Sequence, residues 1–174
     1  MISKKMEKAF NSQINAETYS AYLYWSMSAS LEEIGLSGFA NWMRVQAQEE
    51  MVHALKFYTH IIERGGTVTL TAIDGPPTKW DDVTAVFKDA YKHEQKVTSL
   101  INGLVDLAIK EKDHTAHPFL QWFVNEQIEE EKNDDDVLKK LKLVNGASGG
   151  ILILDKEMGM RVFTPPPATA QGGA

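Results

Sequence analysis

Four long stretches of this chain carry apolar residues at helical spacing, and polar groups on the same face interrupt each stripe near its middle. In the first stretch Glu17 is set among Phe10, Ile14, Ala21, Tyr24 and Leu31. In the second, Glu50 and His53 lie between Met43 and Phe57, after Phe39. In the third, Glu94 falls between Phe87 and Ile101, with Val83, Val105 and Ala108 extending the stripe. In the fourth, Gln127 and Glu130 follow Leu120 and Phe123. The step from Glu17 to Glu50 is 33 residues, and so is the step from Glu94 to Gln127. The chain therefore reads as two helix pairs with one polar plan. Each pair supplies one carboxylate from its first helix and two polar groups at i and i+3 from its second, and i and i+3 share a helix face. All these positions fall roughly midway along their helices, so parallel and antiparallel members meet in one layer.

Helix-breaking punctuation sets the order of the elements. The first helix is expected from about Ser3 to Ile34, ending at Gly35. The second is expected from Ser37, a candidate N-cap, to Gly65-Gly66. So short a break makes these two antiparallel neighbours. The stretch from Gly65 to about Asp82, with Asp74-Gly75-Pro76-Pro77, reads as a long connection. About 16 extended residues reach roughly 50 Å, against roughly 40 Å for a helix of about 27 residues, so this connection can cross the bundle and start the third helix parallel to the second. The third helix is expected over about Asp82 to Lys112, the fourth over about His117 to Val144, and a short fifth over about Ile151 to Met158, after Asn145-Gly146-Ala147-Ser148-Gly149-Gly150. The fold class is all-α, a four-helix bundle with one long crossover and a short C-terminal helix. The expected domain covers residues 1–163, followed by a flexible Pro-, Ala- and Gly-rich tail over 164–174.

Gathering carboxylates in a core is costly, because desolvation and like-charge repulsion both oppose ionisation. Divalent cations relieve both costs, and a set of carboxylates with one imidazole suits ferrous iron and similar ions. The chain has no cysteine, so thiolate zinc sites, iron–sulfur clusters and disulfides are excluded, and any metal is held by oxygen and imidazole. Its net charge of −6 and pI near 5.4 oppose binding to nucleic acid. No apolar run approaches the roughly 18 residues needed to span a bilayer. Charged residues interrupt Met1-Ile2-Ser3-Lys4-Lys5-Met6-Glu7-Lys8 where a signal peptide needs an apolar stretch, so the expected location is cytoplasmic.

Ferritin-like di-iron bundles place a glutamate on each of two helices and Glu-x-x-His on each of the other two. Helix two matches in full with Glu50-Met51-Val52-His53, whereas helix four carries Gln127-Ile128-Glu129-Glu130. With Asn15-Ala16-Glu17-Thr18-Tyr19, Gln48-Glu49-Glu50, Phe119-Leu120-Gln121-Trp122-Phe123 and Leu154-Asp155-Lys156-Glu157, the chain resembles the prokaryotic-type non-haem ferritins over about residues 3 to 163. Bacterioferritins and rubrerythrins, the alternative di-iron oxidase or peroxidase reading, resemble the symmetric pattern with a second histidine.

The resemblance implies an iron-storage protein with ferroxidase activity. Glu17, Glu50 and His53 would hold one iron, and Glu50, Glu94 and Glu130 the other, with Glu50 bridging and Gln127 close by. Glu49, Glu126, Glu129 and Glu130 match a third iron site. Tyr24 matches a tyrosine near the irons, either an electron donor or a core aromatic. No haem is expected, and Met51 reads as a packing or interface residue. Fe(II) and dioxygen are the implied substrates, with water or peroxide as the reduced product, and a homo-oligomeric cage of 24 subunits is the implied assembly. His60, His93, His114 and His117 read as surface or capping residues. Trp25, Trp42, Trp80 and Trp122 read as packing or contact residues. The run Asn133-Asp134-Asp135-Asp136 reads as solvated, as lining a route to the cavity, or as weakening this stretch of helix through like-charge repulsion.

Overall fold

The computed structural model describes residues 1–165. Five helices follow in order: α1 Lys4–Glu33, α2 Ser37–Glu63, α3 Val83–Lys110, α4 Ala116–Val144 and α5 Ser148–Met158. No strand occurs among the described residues. Helix α1 packs along α2, α3 along α4, and α1 against α3, while α5 lies across α2 and α4.

The starts of α1, α2 and α3 each bring a side-chain oxygen to their free N–H groups. Ser3 Oγ accepts from the Met6 N–H at 3.3 Å, and Asp82 Oδ1 accepts from the Ala85 N–H at 2.7 Å. Ser37, which the sequence marks as an N-cap, is instead the first residue of α2, and Leu36 precedes it without a side-chain bond. The cap comes from α5, where Asp155 Oδ1 accepts from the Phe39 N–H at 2.9 Å. That approach depends on Gly38, since a Cβ there would lie 1.7 Å from the Asp155 carbonyl oxygen. The turn between α1 and α2 uses Gly35 at φ +78°, where the glycine bears no steric penalty.

The crossover is pinned along α1 in sequence order. Asn11 Nδ2 donates to the Thr67 carbonyl, Asn15 Nδ2 to the Ala72 carbonyl, and Ser26 Oγ to the Pro77 carbonyl. It therefore travels from the start of α1 to its end, which delivers α3 beside the start of α2 and makes those helices parallel, as expected.

The apolar core falls into two halves. Phe10, Ile14, Phe57, Ile61, Ile101, Leu120 and Phe123 fill one. Tyr24, Met27, Leu31, Phe39, Met43, Phe87, Val137 and Leu141 fill the other, which Leu154 and Met158 of α5 close. Two further details differ from the sequence reading. Leu104, not Val105, carries the buried stripe of α3. Helix α5 begins at Ser148, because Gly149 and Gly150 are tolerated inside it. Glycine at 150 leaves room for Val144, whose Cβ lies 2.7 Å from where a Gly150 Cβ would sit. Of the expected tail, residues 166–174 lie outside the described residues.

Candidate metal centre

Between the two apolar halves lies the polar layer. Glu17, Glu50 and Glu94 are each 1% exposed, His53 and Gln127 3%, and Glu130 6%. All six expected ligand positions are thus buried together. One ligand atom each from Glu17, Glu50 and His53 lie within 4.8 Å of one another, and a second such group joins His53, Glu126 and Glu130.

The hydrogen bonds fix orientation while leaving lone pairs free. Glu17 Oε1 accepts from Gln13 Nε2 at 2.9 Å, and its Oε2 is buried with no partner. Glu50 Oε1 accepts from Gln46 Nε2 at 3.3 Å, and Glu50 Oε2 lies 3.3 Å from His53 Nδ1. Glu94 accepts from the Tyr24 hydroxyl on one oxygen and from Gln127 Nε2 at 3.1 Å on the other. Gln46 Nε2 also donates to Glu130 Oε2 at 2.6 Å. The rings of Trp122 and Phe123 stand edge-on to His53, with centroids 5.4 and 5.8 Å away, and fix the imidazole plane.

Electrostatics agrees with the geometry. Burial, then the neighbouring carboxylates, push Glu17, Glu50, Glu94 and Glu130 up to about 8. Burial next to Glu94 likewise holds the Tyr24 phenol well above its ordinary value. A metal-free layer at neutral pH therefore keeps protons that a cation would expel. The orphaned oxygen of Glu17 and the oxygen-rich donor set with one imidazole fit hard or borderline divalent metal ions.

The expected third cluster is only partly drawn together. Glu126 is half-buried beside His53 and Glu130, but Glu129 is exposed, and Glu49 pairs with Arg161 at 2.5 Å. Met51 packs, half-buried, against the core, in keeping with a packing role.

Other residues depart from their expected places. His60 is not a surface residue; its ring stacks on Phe119 at 3.8 Å, and burial pushes it down to about 4. His93 is half-buried, bonds Ser20 Oγ at 2.8 Å and is pushed down to about 4, again by burial. His114 and His117 are exposed. Trp42 is buried and Trp25 is exposed, while Trp80 bonds Asp89 at 2.8 Å. Asp134 is not solvated. It is 1% exposed, neither of its oxygens has a partner, and burial with Glu94 and Glu130 nearby holds it well above the usual carboxylate range.

Two supporting residues escaped the sequence reading, although their signal was present. Gln13 precedes Glu17 by four positions, and Gln46 precedes Glu50 by four. In the first helix pair the half-repeat thus extends one turn earlier, placing an amide donor on each carboxylate. Arg161 carried no comparable local signal.

An α-helical bundle with a buried carboxylate and imidazole layer at mid-height is the class that fold and site define. The family model described as a ferritin-like domain matches residues 7–144. A bacterial non-heme ferritin of Bacteroides fragilis is 44% identical over 161 residues, covering 92% of this chain and 100% of that protein. One from Staphylococcus aureus is 34% identical over 163 residues, covering 94% and 98%. Among solved structures, an engineered closed form of the Archaeoglobus fulgidus ferritin superposes with a TM-score of 0.93 at 51% identity, covering 94% of this chain and 100% of that one. The open pore ferritin of the same archaeon gives 0.92 at 50% identity, covering 93% and 100%. The chain belongs to the ferritin family, a family of iron-storage proteins. No helix among the described residues is long and apolar enough to cross a membrane.

Proposed function

We propose that this chain oxidises Fe(II) with dioxygen at the buried layer and stores the ferric product inside a cage built from copies of itself. The convergence of Glu17, Glu50 and His53 at mid-bundle, with Glu94 and Glu130 completing the layer, carries the reading. Glu17 and His53 serve one ferrous ion, Glu94 and Glu130 the other, and Glu50 reaches both. Gln127 orients Glu94 through its amide, and Tyr24 does the same through its hydroxyl, which also places a phenol next to the reacting ions.

The charge balance explains direction. The four glutamates, once ionised, neutralise two Fe(II) ions. Each ion surrenders one electron, so a pair takes dioxygen to the level of peroxide, and two pairs take it to water. The ferric ions carry more charge than the glutamates supply, so they hydrolyse, release protons and leave as mineral. Glu126 and Glu130, with Glu49 and Glu129 nearby, form the third position, which takes iron adjacent to the pair.

Assembly follows from surface and family. Leu152 and Ile153 of α5 are 62% and 72% exposed, on a helix already docked to its own bundle, and contiguous aliphatic surface of this kind is normally covered by another chain. The structural neighbours are open pore and closed forms of a ferritin, which agrees with a hollow homo-oligomer of 24 subunits.

The test is aerobic addition of Fe(II) with ferric absorbance followed over time. Glu50→Ala and Glu130→Ala slow the initial rate at least about tenfold, since each removes a ligand used only when metal is bound. Equal initial rates in wild type and both variants overturn the catalytic assignment.

A further inference from the structure

Arg161 lies just beyond α5, and its guanidinium is tied to three groups at once. Nη2 donates to Glu49 Oε2 at 2.5 Å, and Nη1 donates to Gln46 Oε1 at 2.9 Å. The guanidinium carbon sits over the Trp42 ring, 4.3 Å from its centroid. The Arg161 carbonyl accepts from Asn41 Nδ2 at 2.9 Å, which pins the backbone of this segment to α2 independently of the side chain. Beyond it, Phe163, Thr164 and Pro165 form one wall of a cavity of about 290 Å³, whose other walls include Glu49, His53, Trp122 and Glu126. The arginine is therefore a fixed positive charge at the edge of the third position.

Its second contact reaches further. Because Nη1 takes the carbonyl oxygen of Gln46, that amide turns its Nε2 toward Glu130 Oε2 and Glu50 Oε1, at 2.6 and 3.3 Å. A carboxylate that accepts a hydrogen bond on the lone pair a cation needs must give up that bond to bind it. Glu130 belongs both to the main layer and to the group with His53 and Glu126. One guanidinium thus engages Glu49 directly and Glu130 through Gln46.

We propose that Arg161 is the resident cation of the third position, which an incoming metal ion must displace from Glu49, and that this exchange makes the third ion bind more weakly than the first two. The inference rests on the di-iron reading given under Proposed function. Displacing a charge-assisted hydrogen bond of this kind corresponds to about a tenfold to hundredfold loss of affinity. Once displaced, the side chain stays within reach over Trp42, since Asn41 holds its backbone. It can return to Glu49 when the ion moves on, so the position empties readily. Arg161 is a positioning residue and touches neither ion of the main pair.

The test uses the full-length, assembled, metal-stripped protein, titrated without oxygen by calorimetry with Zn(II), a redox-inert probe that accepts carboxylate and imidazole ligands. Wild type takes up two tight ions and one weak ion per chain. Arg161→Ala tightens the third ion tenfold or more and changes the first two by much less, through Gln46 alone, Arg161→Lys falls between, and Glu49→Gln loses the third ion with or without Arg161. Thermal midpoints of the metal-free variants separate a general loss of folding from this specific change. A third-ion affinity that is unchanged or weaker in Arg161→Ala, with two tight ions retained, overturns the proposal alone. Fewer than two tight ions in wild type overturn the di-iron reading and this proposal with it.

Discussion

Glu17 offers a direct measure of what a layer of carboxylates costs without metal. Its carboxyl, ordinarily near 4.5, is pushed up to about 8 by burial and by Glu50. In the metal-free fold it therefore keeps its proton up to about pH 8, whereas the unfolded chain releases it near 4.5. Between those values the folded state binds more protons than the unfolded state, so stability falls as pH rises and levels off above about 8. One group shifted that far corresponds to a ceiling of about 4 kcal/mol lost between pH 4.5 and pH 8. Coupling to Glu50 means that this cost is shared and does not simply add to the others. Glu17→Gln removes the titration, keeps the shape and can retain one bond with Gln13, but it sets an amide N–H where the partnerless Oε2 lies, at a cost of about 1–3 kcal/mol. The metal-free variant is therefore expected to exceed wild type by about 1–3 kcal/mol at pH 8, and to match it or fall below it at pH 5. For a chain of this size that is about 3–8 °C in thermal midpoint at pH 8. The assay is calorimetric melting of both proteins in chelator across pH 5 to 9. With saturating Zn(II) the order inverts, because only wild type keeps every ligand. Midpoints of the two metal-free proteins that stay parallel across the whole pH range would refute the reasoning.

Three further outcomes follow from the same structure. Anaerobic Zn(II) binding at pH 7 releases about three to four protons per chain from the four glutamates held near 8, read from the buffer dependence of the calorimetric enthalpy; release of fewer than one would contradict a protonated layer. Gly38→Ala drives a Cβ into the Asp155 carbonyl, 1.7 Å away, and removes the cap on Phe39. It is expected to destabilise the fold by about 2–4 kcal/mol and to raise amide exchange selectively over Ser148–Met158. Asp134→Asn removes a buried acid that has no partner but leaves an unpaired amide in its place, so the metal-free variant gains on wild type as pH rises from 5 to 8; a midpoint difference that does not change with pH counts against the burial argument.

The architecture was legible because its determinants are local or periodic. Glu50 and His53 share a face through i, i+3 spacing, and the 33-residue steps place Glu17, Glu94 and Gln127 at one depth. Gln13 and Gln46 stand at i−4 from their glutamates and are equally legible in position, but a neutral amide on a helix carries no charge to mark it. What stayed hidden depends on contacts between distant segments. Ser37 has the chemistry of a cap, but Asp155, 116 residues from Phe39, takes that role. Arg161 reaches Glu49 from 112 residues away, with no motif to announce it. Asp134 follows Glu130 by one turn, and its setting in a charged run gave it the look of a solvated residue. Only the packing of α4 on the bundle shows that it is enclosed.

The division of the polar plan between two helix hairpins also bears on how the chain folds. Each hairpin closes through a short turn and carries half of the layer, so each can form from contacts nearby in sequence. The long crossover joins them, and only their docking brings Glu17 and Glu50 up against Glu94 and Glu130. Desolvation of the carboxylates is thus concentrated in the last step of assembly within the chain. Protons or metal ions, which remove that penalty, act on the docking barrier and leave hairpin formation untouched. Refolding of the metal-free chain should accordingly keep its early phase and slow its final phase as pH rises from 6 to 9, so the chemistry that serves iron also times the completion of the fold.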